Sequence, residues 1–139
     1  QHRDRLDDIV LSIHLEHAAN ECREQDGKVI PTGRPETRWF FTTQTDALKQ
    51  SVYRALEAEQ LGRSMIIAPD AFGDRPTTEG GAFYPEGVPL VNYLTAPFYL
   101  FDAMDTMDKI HKPSLEPITR ATIRIIEDTR NVSAADMRG

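Results

Sequence analysis

Ile9-Val10-Leu11-Ser12-Ile13-His14-Leu15 is a nearly continuous apolar run rich in β-branched residues. A run of this length without strict apolar/polar alternation has the pattern of a strand buried on both faces of a parallel sheet. Such a strand needs neighbours at its edges and cover above and below, which points to an α/β layer architecture. The rest of the sequence supplies candidates. Arg38–Thr42 predicts a second strand, Ser64–Ala68 a short buried one and Val88–Tyr93 a further one. Between them Asp46–Leu61 predicts a helix, with Leu48, Val52, Ala55 and Leu56 forming one apolar stripe at i, i+4, i+7 and i+8. A final helix from Leu115 is expected to bury Leu115, Ile118, Thr122, Ile125 and Ile126. Thr45 and Ser114 stand where N-caps are needed, and Gly62 stands where a left-handed residue would stop the first helix. The expected fold is α/β, in three layers, with a mostly parallel sheet and helices on both faces.

Two stretches interrupt this pattern. Asn20 to Thr37 holds Gly27, Pro31, Gly33 and Pro35 and predicts a surface excursion, with Lys28-Val29-Ile30 as a short edge strand. Pro69 to Gly81 is too long for a simple connector, and loops of that length in compact domains are usually functional or mobile.

The 139 residues amount to one domain, with 40% hydrophobic and 27% charged residues. A net charge of -6 with interspersed signs argues against a nucleic-acid partner, and no apolar run is long enough to span a membrane. Cys22 is the single cysteine, which excludes an internal disulfide. Gln1-His2-Arg3-Asp4 opens polar, without an initiator Met or a signal-peptide core, so the chain is expected to begin inside a longer one; its compartment is open.

The candidate chemistry gathers after the first strand, in His14, Glu16, His17 and Glu21. On a continuing strand His14 and Glu16 share a face and His17 points away; if a helix starts instead, His17 and Glu21 become neighbours. No nucleophile elbow, P-loop or dinucleotide fingerprint competes with this cluster.

Three motifs in order carry a family likeness. Thr78-Glu79-Gly80-Gly81-Ala82-Phe83-Tyr84-Pro85-Glu86-Gly87-Val88-Pro89 and Asp105-Thr106-Met107-Asp108-Lys109-Ile110 resemble the C-terminal signature of the M28 family of zinc-dependent aminopeptidases. Ile13-His14-Leu15-Glu16-His17 resembles the strand end of that family whose Asp binds one of two zinc ions, with Glu16 in the Asp position. The resemblance covers nearly the whole chain but only the C-terminal half of the family's catalytic domain, so residues 1–139 read as one M28-peptidase-like C-terminal segment. Two departures go with it. The family's zinc-binding His falls on Gly80, and Phe101-Asp102 stands where the family commonly has His-Thr.

The resemblance implies a C-terminal portion of a peptide-bond hydrolase, not active as this chain alone. The alternative it leaves is a metal-free pseudoenzyme used as a binding or assembly module. Zinc is the cofactor of the parent family, with Glu16 the one metal-ligand position here and no zinc expected on this chain alone; no catalytic residue is assigned. His14, His17, Glu79 and Gly80 are expected around the pocket. For Glu79-Gly80-Gly81 a plain turn with positive φ at the glycines is the other reading, and for Asp105 a cap on a short helix. Implied partners are the protein's own N-terminal half or a second copy, and a peptide substrate if the full protein is active.

Overall fold

The computed structural model describes residues 3–139; Gln1 and His2, on which the expectation of a longer chain partly rests, lie outside the described residues. Four strands form the main sheet: β1 (Ser12–Leu15), β4 (Arg38–Thr42), β5 (Ser64–Ile67) and β6 (Leu90–Thr95), in the order β1-β6-β4-β5. β1 runs parallel to β6 and β5 parallel to β4, while β4 and β6 are antiparallel, so the sheet is mixed. β2 (Asn20–Gln25) and β3 (Lys28–Pro35) make a separate antiparallel hairpin. The stretch read as an excursion is therefore ordered over most of its length. Asp26 and Gly27 both take positive φ between the strands, which is the conformation a two-residue hairpin turn requires.

The described residues also form three α-helices: α1 (Asp46–Ala58), α2 (Lys112–Thr129) and α3 (Ala134–Arg138). Leu48, Val52, Ala55 and Leu56 of α1 pack with Ile118, Ala121 and Ile125 of α2, Met137 of α3, and Phe40, Val91 and Tyr93 of the sheet. Fully burying one such aliphatic side chain contributes about 1.5–3 kcal/mol, so this cluster is the main source of stability. The opposite face of the sheet is met by the irregular segment that follows β5, which includes 3-10 turns at Glu79–Ala82 and Tyr84–Glu86.

Several local expectations change. α2 buries Ser114, Ile118, Ala121, Ile125 and Thr129, whereas Leu115 is 46% and Ile126 51% exposed. The reason is Arg38, a buried cation at the start of β4. Its guanidinium donates to Ser114 Oγ at 2.6 Å and to the Gly62 carbonyl, which draws the Ser114 side of the helix inward. Ser114 is thus inside α2 rather than its cap; the N-cap is His111, whose Nδ1 lies 2.6 Å from Ser114 Oγ. Thr45 is the N-cap of α1 by backbone geometry, but its hydroxyl makes no capping bond. Beyond α1 the left-handed residues are Gln60 (φ +53) and Arg63 (φ +57), not Gly62.

Leu48→Ala should lower unfolding free energy by about 2–5 kcal/mol, because it opens a cavity in the helix-sheet core. Leu115→Ala, on the exposed flank of α2, should change it by less than about 0.5 kcal/mol. Urea titrations followed by circular dichroism measure both.

Candidate active-site cleft

At the C-terminal ends of β1 and β6 a cleft of about 950 Å³ opens on the face of the sheet opposite the three helices. Glu16 and His17 enter it just beyond β1, Leu94 and Ala96 from β6, and Trp39 and Phe41 from β4. Residues 72–82 of the long segment form one wall, and Leu100 and Phe101 stand on another. Open α/β sheets place their sites at such strand ends, where side chains reach out of the sheet while the backbone stays hydrogen-bonded. The Glu16 N–H still donates to the Tyr93 carbonyl at 3.0 Å, continuing the β1–β6 ladder, so its side chain is delivered by a fixed backbone.

Glu16 meets a second carboxyl. Burial, then the hydrogen bond and charge of Glu79, push the Glu16 carboxyl up to about 7, against a downward pull from the Asn92 amide. Glu79, at the start of the 3-10 turn, is exposed and held low by the hydrogen bond from Glu16 and by its own backbone N–H. The two shifts run in opposite directions, so of the two acids Glu16 is the one that favours the proton. One oxygen of Glu16, Oε1, is buried and has no hydrogen-bond partner among the described residues.

The two imidazoles take separate places. His14 lies on the same face of β1 as Glu16; its Nε2 is 2.6 Å from Ser12 Oγ and its ring is 5.4 Å from that of Phe83. His17 has φ +45, which ends the strand and turns its side chain away; Nε2 lies 2.8 Å from Asp105 Oδ2, and its carbonyl accepts from the Thr95 N–H at 3.2 Å. Asp105 is thus an anchor for His17 and not a cap: the N-cap of the 3-10 turn Met107–Lys109 is Thr106. His14 and Glu16 share a face and His17 points away, whereas no helix starts at His17 to make it a neighbour of Glu21. Residues 20–25 are a strand, and Glu21 is tied to Arg34 at 2.6 Å and Arg63 at 3.0 Å, on the hairpin.

Gly80 is buried beneath this arrangement. A Cβ there would lie 2.4 Å from Asn92 Oδ1, 2.7 Å from His14 Cδ2 and 3.0 Å from Leu90 Cδ1. Gly81 is equally confined, its Cβ position 2.0 Å from the Pro76 carbonyl oxygen. Neither glycine has positive φ, so both serve close approach rather than a left-handed turn. Asn92, wholly buried in β6, accepts from Thr78 Oγ1 at 2.7 Å and so clamps the turn onto the strand.

These residues do not fit a zinc site. Catalytic zinc needs three protein ligands about 2 Å from one point. Among the described residues no three His, Cys, Asp or Glu side chains converge in that way. An imidazole at 80 would have to displace Asn92 and His14. The cleft does suit binding: paired acids at its floor, and aromatic rings beside them, with Trp39 and Phe72 5.4 Å apart and Phe41 and Phe72 6.2 Å apart.

Sequence reasoning missed Asn92, Trp39 and Phe72, and singled out Phe101 only as a departure from the family pattern. Asn92 had a legible signal, a lone amide within Leu90-Val91-Asn92-Tyr93-Leu94; Phe72 and Phe101 lie in irregular segments where no periodicity marks a face. No family model, curated protein or solved structure matches the chain.

The Glu16 proton has a measurable sign. Glu16 is raised from an unfolded value of 4.5 to about 7, so across that window the folded protein holds a proton the unfolded chain has released. Stability therefore falls as pH rises through the window. Melting temperatures of the wild type and Glu16→Gln should agree at its acid end, with the variant the more stable above its upper end. A wild-type melting temperature that climbs through the same interval would contradict the pairing.

Proposed function

We propose that the chain is the C-terminal portion of an M28-type metallopeptidase-like protein in which the zinc site has closed, leaving a metal-free cleft that binds peptide-like ligands. The observation that carries this reading is the contact of Gly80 with Asn92 and His14, which occupies the space an imidazole would need. On the same reading the mixed sheet, with its helices on one face, is part of a three-layer zinc-exopeptidase-like fold. The free edge of β1 then takes a strand from the protein's own N-terminal half or from a second copy. Ser12-Ile13-His14-Leu15 bears no Lys, Glu or Pro, the residues that usually blunt an exposed edge.

A second reading is supported by the retention of acids at Glu16 and Glu79. In it the full protein is a peptidase whose other ligands come from outside this chain, and Glu16 is one ligand among them. The two readings separate on zinc. Affinity comes from several ligands acting together, and the metal-free reading has only Glu16 at a ligand position.

The dialysed protein should carry no stoichiometric zinc by elemental analysis, and Gly80→His should not create a site. Gly80→Ala should destabilise by about 1–3 kcal/mol, through overpacking against Asn92. One zinc per molecule, lost on Glu16→Ala, would overturn the metal-free reading in favour of the peptidase.

A further inference from the structure

We infer that the outer edge of β5 binds the C-terminal tail of a partner protein, an extended segment that ends in a bulky apolar residue with a free α-carboxylate. The site lies beside α1, at the edge of the sheet opposite β1, so the inference is independent of what the cleft holds. Among the described residues β5 is the last strand of the sheet, and Ser64-Met65-Ile66-Ile67 carries no charge or Pro to blunt it. The Arg38 N–H donates to the Arg63 carbonyl at 2.8 Å, with Arg38 opposite Ser64 and Phe40 opposite Ile66. Backbone groups alternate along a strand, so Met65 and Ile67 also bond toward β4, whereas the N–H and C=O of Ser64 and Ile66 face outward. Along that edge runs a groove of about 630 Å³ between β5 and α1. Leu56, Leu61 and Ile66 form its apolar floor, and Tyr53, 57% exposed, its outer wall. In an added strand the residues opposite Ser64 and Ile66 share the face of those two side chains, and so point into the groove.

The head of the groove fixes the end and the direction of its ligand. Gly62 and Arg63 line it just before β5. The buried Arg38 guanidinium holds the Gly62 carbonyl, and across a trans peptide the next N–H points the opposite way. The Arg63 N–H is thus turned away from Arg38, next to the outward N–H of Ser64. Arg63 has φ +57, an angle that is unfavourable for an arginine and that recurs where backbone groups are aimed at a ligand. Two adjacent N–H donors at the start of an edge strand suit a carboxylate, which sets the ligand antiparallel to β5 with its last side chain in the groove. Charge agrees. Arg34 and Arg63 share the one carboxylate of Glu21, at 2.6 and 3.0 Å, and Arg38 behind them has no ion-pair partner among the described residues. The acid in the lining, Glu57, is exposed on the α1 wall one helical turn before Leu61. A basic side chain two residues before the terminus, on the groove face, meets it there.

The probe is the peptide Val-Lys-Thr-Leu with fluorescein on its N-terminus and a free carboxylate, titrated with the protein in EDTA and followed by anisotropy. Saturable binding is expected. The C-terminally amidated peptide, and the peptide ending in Gly, should each bind at least about tenfold more weakly, as loss of one good polar or apolar contact requires. Tyr53→Ala should weaken binding by at least about tenfold and, at an exposed position, leave the melting temperature unchanged. Arg63→Gly should remove most of the salt dependence of binding with the fold intact, because glycine accepts the positive φ. Amide exchange read by NMR places the ligand: saturation should slow exchange at Ser64 and Ile66 and leave Met65 and Ile67, already bonded to β4, little changed. Equal affinity for the amidated peptide, undiminished affinity in Tyr53→Ala, or exchange slowed evenly along β5 would each overturn the inference. A dimer in light scattering that protects Ser64 and Ile66 without peptide would overturn it too, by giving the edge to a second copy. So would binding that requires zinc in place of EDTA, which would put the peptide in the cleft; zinc content alone tests the metal-free reading and leaves this result unmoved.

Discussion

Everything in this molecule hangs on β6, which is buried on both faces. Val91 and Tyr93 look into the helical core, and Leu90 and Asn92 look toward the glycine turn. One strand therefore serves two functions that are usually apportioned to different elements: it is the keel of the hydrophobic core and the floor of the cleft. Its parallel pairing with β1 sets Glu16 at the strand end, and its antiparallel pairing with β4 sets Trp39 and Phe41 beside it. The one amide in the strand, Asn92, is tolerated in a dry position because Thr78 supplies a hydrogen bond and the glycine turn lies close enough to exclude water.

The site shows how two carboxyls can be kept together without a cation. Placed alone at that depth, an ionised Glu16 would be costly, and so the proton stays. Glu79 sits at the surface, where water and its own backbone amide stabilise the charge. The asymmetry of burial, not the chemistry of the side chains, decides which acid is neutral. The closed packing around Gly80 fixes the distance over which that asymmetry operates, since Glu79 is the residue next to it.

Much of the fold was legible in local pattern. The strands at 38–42 and 64–67 and the helix from Asp46 follow the apolar periodicities within a residue or two, apart from the earlier end of that helix. What pattern could not give was any feature set by a distant partner. The stripe of α2 was misplaced because Arg38, 76 positions earlier, draws Ser114 inward, and hydrophobicity alone ranks Leu115 above a serine. The hairpin at residues 20–35 was read as irregular because its prolines and glycines outweigh its short β-branched segments. In the site, Glu16, His17 and Glu79 do share a cleft, and His14 and Gly80 lie just beneath it. That His17 would spend its ring on Asp105, and that Gly80 would be needed for space rather than for φ, depends on contacts across long sequence separations.

Among the described residues β1 pairs on one side only, with a strand that lies far along the chain, Ser12 opposite Leu90 and Leu15 opposite Tyr93. Edge elements with few partners open at lower free energy than the body of a protein. Glu16 directly follows one of the sheet's two edge strands. Detachment of β1 would withdraw that acid from Glu79, hand its proton to water and leave the aromatic half of the cleft in place on β4 and β6. The cleft is thus divided between a fixed wall and a detachable one. Any ligand that touches both acts as a fastener for the sheet edge, and amide exchange along Ser12–Leu15 becomes a readout of occupancy.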